Sequence, residues 1–243
     1  MAHSSRPPPK RATCVVFDIE TDTAFCNSNT TRDEQMTTMQ ATVVCSVTFT
    51  LDDLCNKTGI PDTATRLVCW RDDNESKGGP FEPLFREFDS ADIIVAFNGL
   101  GFDMPVLKKY YGRLNSDRFM RHCMATHDPF ARIRSATGMW PSLNKLLEQN
   151  GFHPKTSNGL EAIRMWERGE RERLQQYCVD DVNLLADLVL CRSPVHCNGV
   201  VLHPSLISVH ANVFGAVRVP PVARAVATME VVEKDTRASK RVR

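Results

Sequence analysis

ATCVVFDIET, residues 12–21, is the stretch from which the fold is read. Val15, Val16, Phe17 and Ile19 form an apolar, β-branched run of the kind that fills a buried strand, and acids arrive only at its C-terminal end. Successive strand residues point to opposite faces, so Asp18 and Glu20 project to one side while Phe17 and Ile19 go to the other. Two carboxylates that close repel each other and, when partly buried, raise each other's pKa unless a cation sits between them. A divalent metal relieves both problems, whereas two solvated acids at a strand end are the plainer account of a bare D-x-E.

Outward from this strand, a polar, Thr-rich stretch runs from Asp22 to Gln40 and reads as a loop. Two β-branched runs follow, ATVVCSVTF at 41–49 and TRLVCW at 65–70, with no helix among the three strands. The pattern then changes: FEPLFREF (81–88) is helical, ADIIVAFNG (91–99) reads as a strand, and FDMPVLKKYYG (102–112) as a short helix ended by Gly112. A further strand is expected within RFMRHCMATH (118–127). Helices are expected at 128–136, at 142–150 with Ser142 as N-cap and Gly151 as stop, at 158–168 and at 170–190. This order predicts an α/β fold with a mixed β-sheet, three sequential strands and then alternating helix and strand, flanked by helices.

The chain has 243 residues, 30 Lys+Arg against 29 Asp+Glu, and 42% apolar residues, enough for one large domain. A net charge of +1 excludes a strongly basic histone-like binder and an acidic disordered tail protein. The basic charge gathers at the ends, because 1–11 hold three bases and no acid and 234–243 hold five bases and one acid. Both ends are expected to be disordered, with one domain over 12–194 and an extension at 195–233, broken by Pro204, Pro220 and Pro221, packed on it. No stretch reaches the ~18 apolar residues of a membrane span, and a soluble intracellular protein is expected. The nine cysteines are odd in number and partly in strand-like runs, which argues against a disulfide framework. Cys191, His196, Cys197 and His203 lack the paired knuckle of a zinc site.

Two further segments carry candidate chemistry. Leu174, Tyr177, Cys178, Asp181, Leu185 and Leu188 recur at helical spacing, which puts Asp181 in the middle of an apolar stripe and Tyr177 one turn before it. A buried carboxylate there must protonate, find a cation or line a cavity; an amphipathic helix with one tolerated Asp is the plainer account. The second segment is IIVAFNGLGFDMPVL (93–107), a strand entering an N-G-x-G-F-D corner before a helix that carries Asp103 near its start. It lacks the third Gly of a dinucleotide fingerprint, and no P-loop occurs elsewhere.

Together FDIET (17–21), FNGLGFD (97–103) and YCVDD (177–181) resemble the three exonuclease motifs of the DEDD, or DnaQ-like, superfamily within the ribonuclease H-like fold. The resemblance spans about 14–190, and its middle motif is most similar to the proofreading exonuclease domain of family B DNA polymerases. SLNKLLEQNG (142–151) and KTSNGLEAIRMWERG (155–169) are similar to segments of stand-alone, polymerase-derived exonucleases, and no polymerase palm or fingers is expected in the rest of this chain.

The resemblance implies that Asp18, Glu20, Asp103 and Asp181 hold two Mg²⁺ or Mn²⁺ ions and that Tyr177 orients the attacking water. The chain matches the tyrosine type, since Gln176 stands where the histidine type has its His. The implied activity is 3′-5′ hydrolysis of phosphodiester bonds, on DNA ahead of RNA. The net acidity between the two basic ends disfavours a tight grip on duplex and favours a single-stranded or frayed 3′ end. Motif position makes Thr21, Asn98 and Phe102 the expected substrate-binding residues, with Phe102 stacking on a terminal base and Asn98 either fixing the corner or contacting the strand. The 22–40 insertion is expected to reshape the entrance, and Lys155 to be ordinary surface. An RNase D-like exoribonuclease and a non-catalytic single-strand-binding module on the same fold remain the alternatives.

Overall fold

β1 (Arg11–Thr21) sits in the middle of the sheet because it is apolar on both faces along most of its length. In the computed structural model, which describes residues 11–26, 29–52, 59–72, 78–112, 115–153 and 159–214, β2 (Ala41–Asp52) runs antiparallel to it from Arg11↔Asp52 to Glu20↔Val43. β3 (Thr65–Trp70) adds antiparallel to β2, while β4 (Ile93–Val95) and β5 (Thr126–His127) add in parallel on the other side of β1. The order β3-β2-β1-β4-β5 is the mixed α/β sheet expected from the sequence, flanked by helices.

The helices in chain order are α1 (Arg32–Thr38), α2 (Glu82–Ser90), α3 (Asp103–Leu107), α4 (Ser116–Ala125), α5 (Pro129–Thr137), α6 (Leu143–Gln149), α7 (Gly159–Glu167) and α8 (Arg171–Leu190). On one face of the sheet Val15, Phe17 and Ile19 meet Leu84, Phe85 and Phe88 of α2 and Met104 and Leu107 of α3. On the other, Cys14 and Val16 meet Leu174, Cys178, Val182 and Leu185 of α8. Asp18 and Glu20 extend this second face toward the α8 side, as the strand alternation requires.

One expectation needs correction and two are narrowed. The stretch 22–40 contains a helix, α1, started by a capping box in which Thr31 Oγ1 accepts from Glu34 N at 3.2 Å and Glu34 Oε2 accepts from Thr31 N at 2.7 Å. The strand expected within RFMRHCMATH is present but confined to β5, Thr126–His127; the residues before it form helix α4, where Phe119, His122 and Cys123 recur at three- and four-residue spacing against the core while Met120 and Met124 face solvent. The strand at 91–99 shrinks to Ile93–Val95, and its end turns through Asn98, whose φ of 61° is left-handed.

Beyond α8, a hairpin of β6 (Val195–Cys197) and β7 (Val200–Leu202) and the short α9 (Val209–Val213) join the α8-side core through Val195, Leu202 and Val209. The Pro-rich start up to Lys10, Lys155, and the remainder of the extension and the basic tail from 215 onward lie outside the described residues. The eight described cysteines are free thiols. Among the described residues no helix is long and apolar enough to cross a membrane.

Candidate active site

At the C-terminal end of β1 three elements bring acids together. Asp18, half-buried, and Glu20, 7% exposed, come from β1; Asp103, 4% exposed, opens α3; Tyr177 and Asp181 lie one turn apart on the buried stripe of α8. Carboxylate oxygens of Asp18 and Glu20 and the sulfur of Cys178 lie within 4.8 Å of one another, the one such group of potential metal ligands among the described residues. Asp103 and Asp181 stand outside that tightest group: Asp103 feels the charge of Asp18, and Asp181 bonds to Tyr177, which also feels Glu20 and Asp18. Burial, and then the charge of Asp18, holds the Asp103 carboxyl well above the usual carboxylate range, although backbone amides of Asp103 and Ile19 donate to it. Burial also raises Tyr177, reinforced by the charges of Asp181, Glu20 and Asp18 and by a hydrogen bond with Asp181.

The donor set suits hard cations. Carboxylates supply oxygen, while the Cys178 thiol donates to the backbone carbonyl of Asp18 at 3.6 Å and is kept protonated by burial and the adjoining acids.

Two clefts flank the acids. One, of about 540 Å³, is lined by Glu20, Thr21, Phe25, Arg32, Asn98 and Phe102. The other, of about 480 Å³, is lined by Asp18, Phe97, Asn98, Phe130, Ser142 and Tyr177. Both reach Asn98 and Gly159, so the acids sit beside a groove with two arms. The expected contacts Thr21, Asn98 and Phe102 all face this groove; Thr21 Oγ1 is also turned to donate to Thr23 O at 2.8 Å. The 22–40 insertion forms one wall, with Phe25 meeting the Phe102 ring edge-on at 5.7 Å and the Arg32 guanidinium 4.1 Å from the Phe25 ring centre. Its base is pinned where Asp22 accepts from Gln40 N at 3.0 Å and from Arg71 Nη1 at 2.8 Å.

Sequence reasoning gave no role to Asp128. It is 2% exposed and its two oxygens accept from Asn98 N at 2.9 Å, Leu100 N at 3.0 Å and Ala131 N at 3.2 Å. One carboxylate thus caps α5 and clamps the strained corner that leads to Asp103. The Asp-Pro pair at 128–129 is a helix-start signal, but its second task is invisible until 98–100 is folded against it. Gly99 is required at this corner, since a Cβ there would lie 2.3 Å from Ala96 Cβ.

No protein-family model and no curated protein matches the chain. Among solved structures it is similar to the family B DNA polymerase from the hyperthermophilic archaeon Pyrobaculum calidifontis, at 18% identity and a TM-score of 0.47 over 77% of this chain and 27% of the polymerase. It is also similar to E. coli exonuclease I in complex with a 5cy-dT13 oligonucleotide, at 15% identity and a TM-score of 0.38 over 69% of this chain and 42% of that protein. The chain therefore spans less than half the length of either.

Proposed function

We propose that this chain is a metal-dependent 3′-5′ exonuclease of the tyrosine-type DEDD class, hydrolysing the terminal phosphodiester bond of a single-stranded or frayed 3′ end, with DNA ahead of RNA as substrate. The observation that carries the reading is the meeting of Asp18, Glu20, Asp103, Tyr177 and Asp181 from three elements beside one groove. In this reading Asp18, Glu20, Asp103 and Asp181 hold Mg²⁺ or Mn²⁺, which when bound supplies Lewis acidity to the attacking water and the leaving 3′ oxygen.

The chain's own groups do the remaining work. Burial and the neighbouring carboxylates hold the Tyr177 hydroxyl above its ordinary range, so it stays protonated at neutral pH and, tied to Asp181, orients the water rather than deprotonating it. Phe102 offers a face for the terminal base, Asn98 and Thr21 contact the sugar-phosphate edge, and Asp128 holds the Asn98 corner in register without touching substrate.

Release of nucleotide from a 3′-labelled oligonucleotide tests the proposal. Activity is expected with Mg²⁺ or Mn²⁺ on free 3′ ends and on 5′-blocked strands, and is absent on circles and 3′-blocked strands. Asp18→Ala and Asp181→Asn are expected to abolish it while the fold persists; unchanged activity in either overturns the site. Paired ribo- and deoxyribo-oligonucleotides of one sequence decide the substrate. Binding that survives chelation, with no cleavage under either metal, would instead mark a non-catalytic module.

A further inference from the structure

A row of aromatic rings leads out of the cleft that contains Asp18 and Tyr177. Phe97 and Phe130 line that cleft, their ring centres 5.8 Å apart at 73°. Phe130 in turn meets Trp140 at 5.9 Å and 65°. Trp140 is 65% exposed, and the exposed Arg134 places its guanidinium 3.6 Å from the indole centre.

A Trp left this open gains little from burial, so core packing does not account for its position. It differs from an isolated surface aromatic in its continuity, ring by ring, with the groove beside the acids. The scaffold is shared as well. Phe130 and Arg134 ride on α5, whose first turn is capped by the same Asp128 that clamps the Asn98 corner, so the aromatic row and the acids are held in one frame.

We propose that Phe130 and Trp140 are a stacking track for the single-stranded segment that lies 5′ of the terminal nucleotide, with Arg134 serving its phosphates. This rests on the exonuclease reading and adds to it a binding path away from the acids. Nucleobases stack on aromatic faces with little regard to sequence, and an arginine already set over an indole adds positive charge where a backbone must pass. The track would thus give affinity that grows with strand length while leaving the chemistry to the acids.

The test compares an oligothymidine of about three nucleotides with one of about twelve, lengths that fall short of and extend past such a track. Binding is read by anisotropy of 5′-labelled strands with Ca²⁺ in place of Mg²⁺, and KM and kcat by nucleotide release with Mg²⁺. Trp140→Ala is expected to weaken binding of the longer strand and raise its KM by about tenfold, leave the shorter strand and kcat nearly unchanged, and melt like the parent. Trp140→Phe is expected to recover most of the loss, and Arg134→Ala to reduce the salt dependence of binding. Equal binding and KM for both lengths in Trp140→Ala and the parent overturns the track, as does equal weakening for both. If the parent protein releases no nucleotide from either strand, the exonuclease reading fails and the track falls with it.

Discussion

The two faces of β1 differ sharply in what they carry. Toward α2 and α3, Val15, Phe17 and Ile19 are at most 4% exposed and their side chains pack into an apolar cluster. Toward α8 the strand begins in the same way with Cys14 and Val16 and then turns acidic at Asp18 and Glu20, over Cys178. A period of two lets one strand anchor the fold with one face and present charge with the other, so the loss of either property should leave the other standing.

The largest contrast is in activity. Asp18→Ala is expected to lower nucleotide release by about a thousandfold or more, a loss of the size seen when one preorganised electrostatic contact is removed. Its melting temperature should be unchanged or higher, because a repelling charge beside Asp103 is gone. Calorimetric melting beside the nuclease assay checks both; a collapsed fold would break the division between the faces.

Phe17→Ala is the mirror experiment. Phe17 is fully buried and its ring centre lies 4.8 Å from that of Phe88, so the substitution should cost about 3–5 kcal/mol in urea unfolding. The fraction that remains folded should retain its specific activity. Next in size is Asp128→Ala, which removes the cap of α5 and the clamp on Asn98 and Leu100 together. A loss of about 1–2 kcal/mol is expected, with a fall in kcat that Asp128→Asn partly restores.

The smallest effect belongs to the parallel neighbour β5, where His127 is buried and its Nε2 pairs with Ile207 O at 2.8 Å. Burial lowers His127 to about 4 from an ordinary 6.5, so the unfolded chain takes up a proton that the folded chain refuses. Stability from this group is therefore complete above pH 6.5 and lost as the pH falls toward 4, and His127→Gln should flatten urea-unfolding stability across that window. Asp103 acts in the opposite sense, since its raised carboxyl binds a proton more readily in the folded state. The net slope in the parent is expected to be smaller than that of Asp103→Asn.

The strands and acids were legible because two simple periods expose them. Alternation put Asp18 and Glu20 on one face, and three- and four-residue spacing put Tyr177 and Asp181 on one stripe, both as found. Where the signal is local but short it blurs: the strand expected within 118–127 is there, but β5 has only two residues, too few to alternate, and the helical stripe of Phe119, His122 and Cys123 before it went unread. α1 carried a readable Thr-x-x-Glu start at Thr31 and Glu34, hidden within a Thr-rich polar stretch that resembles a loop. The clamp of Asp128 on Asn98 and the entry of the aromatic row from Phe97 to Phe130 depend on contacts between segments about 30 residues apart, and no short window of sequence contains them.

The most direct test of the central claim is titration calorimetry of Mn²⁺ into the intact chain with a non-hydrolysable oligonucleotide present. Saturable uptake is predicted for the parent, and its loss for both Asp18→Ala and Asp181→Asn. Absence of uptake by the parent, or uptake unchanged in both variants, would contradict it.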